Sequence, residues 1–193
     1  MQDNVLYLIG GTCSGKTSLA RTLESKGWTW VRSITTRPKR PGEHDEYKAW
    51  VSPVEFRSME QAGKLEYVRD YVTHDDLWRY AFLKDDLKFD SDKRYVMIGD
   101  PVSARLAMFR YRTVLLLYAS NDVTRARLKK RGCGAEFIRQ RLSKDNDDFG
   151  EFKMIATYSQ ISKAKTFAFS LAKNDNRYDR TKILNWLDER IPE

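Results

Sequence analysis

The sequence predicts an α/β fold: a parallel sheet sandwiched between helices, in three layers. Three observations carry this. Four short apolar runs, at residues 5–9, 95–98, 113–118 and 167–171, lack the polar alternation of strands with one wet face and so read as strands buried on both sides. The segments 103–109, 123–131, 135–142 and 180–191 carry apolar residues three or four apart, as Ile183, Leu187 and Ile191 do, which is the spacing of one helix face. Strands alternating with helices imply parallel crossover units. The third observation is a glycine-rich octapeptide joining the first run to a helix.

That octapeptide is Gly10-Gly11-Thr12-Cys13-Ser14-Gly15-Lys16-Thr17, directly behind residues 5–9. Its glycines let the backbone curl so that successive N–H groups point inward at phosphate oxygens, and the helix that follows adds its positive end. In this pattern Lys16 reaches the β- and γ-phosphates of a nucleoside triphosphate, and the Thr17 hydroxyl holds Mg²⁺. Cys13 contributes mainly backbone. The helix itself is marked by Ser18, Leu19, Ala20 and Leu23 and stopped by Gly27. The expected ligand is ATP.

From Trp28 to about Phe82 the alternation breaks. Strand-like pieces at 47–51 and 65–72 flank a helix near 53–62, as an inserted substrate lid would. Within it, Arg37 and Arg40 stand three apart in a segment punctuated by proline and glycine. Each guanidinium can donate two parallel hydrogen bonds to one phosphoryl group, a geometry that lysine cannot match. Further on, Asp100 closes the apolar run 95–98, where a carboxylate can order Mg²⁺ and its waters beside the loop. The short acidic run 145–148 reads as a solvated helix end.

Residues 33–43, Ser-Ile-Thr-Thr-Arg-Pro-Lys-Arg-Pro-Gly-Glu, following a phosphate loop at this spacing, resemble the S-x-T-T-R-P-x-R-P-G-E stretch of guanylate kinases. The resemblance covers most of the chain. It implies one P-loop kinase-like domain with a core at 1–32 and 91–193. It also implies a lid for a nucleoside monophosphate at about 33–90 and a small ATP lid at about 131–141. Position by position, Ser33, Arg37, Arg40 and Tyr47 are similar to the donors that hold the acceptor's phosphate, and Tyr80 to a further phosphate-contacting tyrosine. Glu66 is similar to the carboxylate that reads guanine, and Asp100 is assigned to the acceptor side as well as to the metal. Arg127, Arg131 and Arg141 look like the ATP-lid arginines, with Arg37, Arg131 and Arg141 joining Lys16 as the catalytic cations. Asn174 resembles the adenine-side loop.

The chain also departs from that pattern. The expected Y-G-[ST] is Tyr80-Ala81-Phe82, so the hydroxyl that would meet guanine O6 is missing. The altered spacing lets Tyr71 compete with Tyr80 for one role. The reaction implied is phosphoryl transfer from ATP with Mg²⁺ to a monophosphate such as GMP or dGMP. A broader deoxynucleotide kinase, a ribose bisphosphate kinase and a non-catalytic binding module remain open.

Size and composition bound these readings. The chain has 193 residues, enough for one domain with a proper core, and its formal net charge of +8 falls in two basic clusters, 32–40 and 125–141. Clustered charge favours a phosphate cleft over nucleic acid, and Trp28, Trp30, Trp50 and Trp78 are expected in cores and lid. No apolar stretch reaches membrane length and no leader pattern opens the chain, so a cytoplasmic protein without nucleic-acid or membrane partners is expected, as a monomer or homodimer. Cys13 and Cys133 have no metal-ligand spacing and are expected as free thiols; His44 and His74 are expected at the surface.

Overall fold

The structure, a computed structural model, describes residues 2–72, 76–161 and 169–191, with side chains described for all of these but 151–161, 169–171, 177 and 178. Two sheets organise it. The larger has five strands, β1 (Gln2–Ile9), β2 (Thr29–Val31), β7 (Tyr95–Ile98), β8 (Tyr111–Tyr118) and β9 (Phe169–Lys173), in the order β2-β7-β1-β8-β9. Every pairing in it is parallel. The fold is therefore α/β with helices on both faces of a parallel sheet, as the strand and helix alternation predicts.

Alternation along β1 sorts the two faces. Val5, Tyr7 and Ile9 join Met97, Val114 and Leu116 under Ala104 and Ala107 of α3 (Pro101–Arg110) and Phe149 of α5 (Ala135–Ile161). Leu6 and Leu8 join Leu115 and Leu117 under Leu19 and Leu23 of α1 (Lys16–Glu24) and Ile183 and Leu187 of α6 (Arg177–Arg190). Trp28 and Trp30 are buried in this second layer, as expected of core rings. The remaining helix of this part, α4 (Asn121–Lys130), follows β8 and is capped by the Ser120 side chain.

The smaller sheet, drawn from residues 34–83, has the order β4-β3-β6-β5: β3 (Ile34–Thr35), β4 (Ala49–Trp50), β5 (Leu65–Val72) and β6 (Leu77–Leu83). Helix α2 (Pro53–Gln61) seals it through Phe56, which packs with Ile34, Leu65 and Ala81. Its start carries Pro53 in the first turn and a capping box between Ser52 and Glu55. In β5 the register slips between Glu66 and Arg69, and Tyr67 takes a left-handed conformation (φ 52°) at that bulge. Bulges of this kind re-aim the neighbouring side chains.

Several sequence expectations need correction. Strand β2 was not foreseen, because three residues give no readable alternation. The strand at 167–171 is observed as Phe169–Lys173, residues 167 and 168 lying outside the described ones, and His74 also lies outside them. Helix α5 continues to Ile161 instead of stopping at 142, and it carries residues 145–148 within its length. The acidic run is thus no solvated helix end: Asp145 is turned inward, with 15% of its side chain exposed. Cys13 and Cys133 are free thiols, and His44 is exposed. Among the described residues no helix is long and apolar enough to cross a membrane.

Gly99, just past β7, is held to its lack of a side chain by packing. A Cβ there would lie 2.1 Å from the Tyr7 hydroxyl and 2.3 Å from its ring, and that ring is fully buried. Gly99→Ala is expected to lower stability by roughly 1–3 kcal/mol, the usual cost of overpacking, read as a lower urea midpoint at unchanged slope.

Candidate functional site

The site lies at the carboxyl edge of the parallel sheet, where β1 turns into α1. Gly15 occupies the cap position of α1 with φ +96°, and no side chain caps this helix. A Cβ on Gly15 would sit 2.3 Å from Asn174 Nδ2, so both conformation and space demand glycine. Cys13 is also left-handed (φ 57°). Among the described residues no hydrogen bond reaches the amides of Cys13, Gly15, Lys16 or Thr17. A curl of free N–H groups at a helix start is an anion cradle.

Lys16 bends back into this curl, donating to the carbonyl oxygens of Gly10 and Gly11 at 2.6 and 2.8 Å. Burial lowers its pKa to about 8, and Asp145 works in the opposite direction. Burial likewise raises the Cys13 thiol, against the nearby charges of Arg131 and Lys16. Among the described residues the Thr17 hydroxyl has no hydrogen-bond partner, and it is a hard oxygen of the kind Mg²⁺ takes.

Two groups hold the curl from behind. Arg127 of α4 donates to the carbonyls of Cys13 at 2.9 Å, Asn174 at 3.0 Å and Asp175 at 3.2 Å. Asn174, buried after β9, donates its amide to the Ser14 carbonyl at 2.8 Å and receives Arg180 at 3.3 Å. Both residues were expected at ATP, and in the structure each gives one nitrogen to a loop carbonyl and binds its other partners behind the loop. Arg131 is exposed at the end of α4, its charge felt by Lys16. Arg141 of α5 donates to Thr12 Oγ1 and to the Tyr71 hydroxyl.

The acceptor-side residues gather in the smaller sheet. Arg37 is 3% exposed and clamped by Glu43, whose two oxygens both lie at 2.7 Å, and its guanidinium stands 5.3 Å from the Tyr47 ring. Tyr47 meets Tyr80 with ring centres 6.0 Å apart, and burial lifts the Tyr80 hydroxyl to about 12. Burial would raise Glu43, yet the hydrogen bonds from Arg37 and from the Arg40 amide hold it below its ordinary value. Arg40 itself is exposed, and Ser33 is half-buried at the start of β3. Tyr71 and Tyr80 are sorted by this geometry: Tyr80 faces Tyr47, whereas Tyr71 stacks on Trp78 and meets Arg141.

Glu66 and Asp100 are both ion-paired. Arg110 lies 3.3 Å from Glu66, and Arg69 lies 3.1 Å from Asp100. Asp100 also caps α3, with Oδ1 accepting the amides of Val102 and Ser103 and Oδ2 accepting the Ser103 hydroxyl. Ser103 receives the Tyr7 hydroxyl at 2.7 Å, which ties this carboxylate to β1. With both oxygens engaged, Asp100 does not fit direct metal ligation; Thr17 does. Sequence reasoning did not single out Arg69, Arg110, Ser103 or Tyr7. A cap signal was present in Asp100-Pro101, but the ion pairs join residues 31 and 44 positions apart and leave no local trace.

No protein-family model and no curated protein matches this sequence. Among solved structures, guanylate kinase from Anaplasma phagocytophilum aligns at a TM-score of 0.62 and 16% identity, over 100% of this chain and 89% of that one. TT1252 from Thermus thermophilus aligns at 0.49 and 12%, over the full length of both chains. The first likeness shows the fold: the parallel core and its inserted smaller sheet follow a guanylate kinase architecture.

Since Arg127 bonds three carbonyls behind the loop, Arg127→Ala removes several charge-assisted hydrogen bonds at once. The expected loss is about 1.5–3 kcal/mol in urea unfolding, with faster hydrogen exchange at the amides of residues 13–17.

Proposed function

We propose that the protein transfers the γ-phosphoryl group of ATP to a nucleoside monophosphate, with GMP or dGMP as the first acceptors to consider. One observation carries this reading. A helix start with four unbonded amides and a half-buried lysine bent back into it lies in the same molecule as a buried arginine beside Tyr47, which in turn meets Tyr80. One cradle suits a polyphosphate, the other a single phosphoryl group.

In this mechanism the loop amides and Lys16 bind the ATP phosphates, and Arg131 and Arg141 supply further positive charge from the ATP side. Ser33, Arg37, Arg40, Tyr47 and Tyr80 hold the acceptor's phosphate, Glu43 sharing Arg37 with it. An oxygen of that phosphate attacks the γ-phosphorus in line; the new P–O bond forms as the bond to ADP breaks. An ionised phosphate is already a nucleophile, so no general base is required, and the rate comes from alignment and charge neutralisation. Thr17 would hold the Mg²⁺ that accompanies ATP, and when bound the ion neutralises phosphate charge.

A second reading, with another acceptor, has specific support. Phe82 is buried and brings no hydroxyl, and the two carboxylates suited to guanine's N–H donors, Glu66 and Asp100, are paired with Arg110 and Arg69. A guanidinium seeks acceptors rather than donors. The decisive experiment measures ADP release with ATP and Mg²⁺ across GMP, dGMP, the other monophosphates and ribose bisphosphate. Turnover with a monophosphate supports the proposal, turnover with ribose bisphosphate alone favours the second reading, and ATP binding without turnover would reduce the protein to a binding module.

Lys16→Ala should lower kcat by at least about 10²–10³-fold while leaving the melting temperature within a few degrees. A pH dependence follows from the same residue. With a free-protein pKa of about 8, Lys16 is charged below that pH and increasingly neutral above it. Bound phosphate favours the charged form, so ATP affinity should be flat below pH 8 and fall by about tenfold per unit above it, with proton uptake on binding in calorimetry.

A further inference from the structure

Asp145 lies on α5, yet its carboxylate is docked on the phosphate loop. Oδ2 accepts the Thr12 amide at 2.6 Å, and Oδ1 accepts the Thr12 hydroxyl at 3.3 Å. The carboxylate fits closely against the loop: a Cβ on Gly11 would sit 2.8 Å from Asp145 Oδ2, so a larger residue there would push the carboxylate from its observed place. After burial, Asp145 is the strongest influence on the Lys16 ammonium, and it acts to keep that group charged. Arg141 lies one helical turn away on α5, 3.9 Å from Asp145 Oδ1, and donates to the same Thr12 hydroxyl and to Tyr71 on β5.

A carboxylate accepting a loop amide beside a half-buried lysine does what a phosphate oxygen does in such a loop. We propose that Asp145 is an internal competitor for the nucleotide's phosphates: it latches α5 to the loop in the resting protein and must give way when a polyphosphate binds. If the carboxylate stays, it repels the incoming anion across a poorly screened gap; if it leaves, its hydrogen bonds to Thr12 are lost. Either course weakens nucleotide binding. Withdrawal also removes the acidic neighbour of Arg141, whose guanidinium then has phosphate as its counter-charge. The contact thus couples occupation of the loop to the Tyr71 hairpin of the smaller sheet. This inference rests on the reading that the loop binds a polyphosphate.

The test compares the wild type with Asp145→Asn and Asp145→Ala by calorimetry against ATP with Mg²⁺, tripolyphosphate and adenosine, thermal unfolding confirming that each variant folds. The variants are expected to bind ATP and tripolyphosphate about tenfold tighter, with adenosine unchanged. Equal or weaker polyphosphate binding by folded variants would overturn the inference, since a carboxylate that merely props the loop would weaken binding when removed. Wild-type protein supplies an independent measurement: the Thr12 amide resonance should shift as tripolyphosphate displaces its acceptor, and an unmoved resonance in a saturated sample overturns the latch. The two readings separate cleanly. If wild type binds ATP while the variants show no gain, the competitor fails and the nucleotide site stands; if no form binds either polyphosphate, both fall together.

Discussion

The loop between β1 and α1 must stay curled although its internal backbone bonding is slight, the Ser14 amide reaching the Gly11 carbonyl at 3.3 Å. A backbone whose amides point inward without partners is costly, and the protein compensates by fixing the carbonyls on the outer side of the curl. Arg127 and Asn174 do this from two different elements, and Lys16 ties the Gly10 and Gly11 carbonyls from inside. The carboxyl ends of β8 and β9 come next to the loop only because their strands are parallel neighbours of β1 in the order β1-β8-β9. The sheet is therefore the support of the site as well as the core of the fold.

Several arginines of the smaller sheet and its neighbours are paired with carboxylates of the same chain. Arg37 is clamped by Glu43, Arg69 by Asp100 and Arg110 by Glu66, and Asp145 leans on the loop beside Arg141. A buried guanidinium without a partner would carry a heavy desolvation cost, and Arg37, 3% exposed, meets that cost through both oxygens of Glu43.

The smaller sheet meets the core at few points, and those points are polar or aromatic. Tyr67, at the β5 bulge, packs tilted or edge-on against Tyr7, Phe82 and Tyr111, while Tyr71 farther along the strand receives Arg141. The left-handed Tyr67 is what lets Glu66 and Arg69, three positions apart, both reach groups of α3.

The sequence by itself determined the parallel core, the loop and the arginine-bearing segment, because these rest on local signals: uniform apolar runs, a glycine spacing and a short motif whose residues all lie within reach of one another. The apolar spacing alone placed two helices at 103–109 and 123–131, and the caps at Asp100 and Ser120 start them two residues earlier. The reach of α5, the inward turn of Asp145, the separation of Tyr71 from Tyr80 and the pairing of Glu66 and Asp100 with arginines were decided by the tertiary structure alone. Those contacts join positions 31 to 133 residues apart, and a side chain's partner at that distance depends on strand order and helix packing, neither of which leaves a mark on the residue itself.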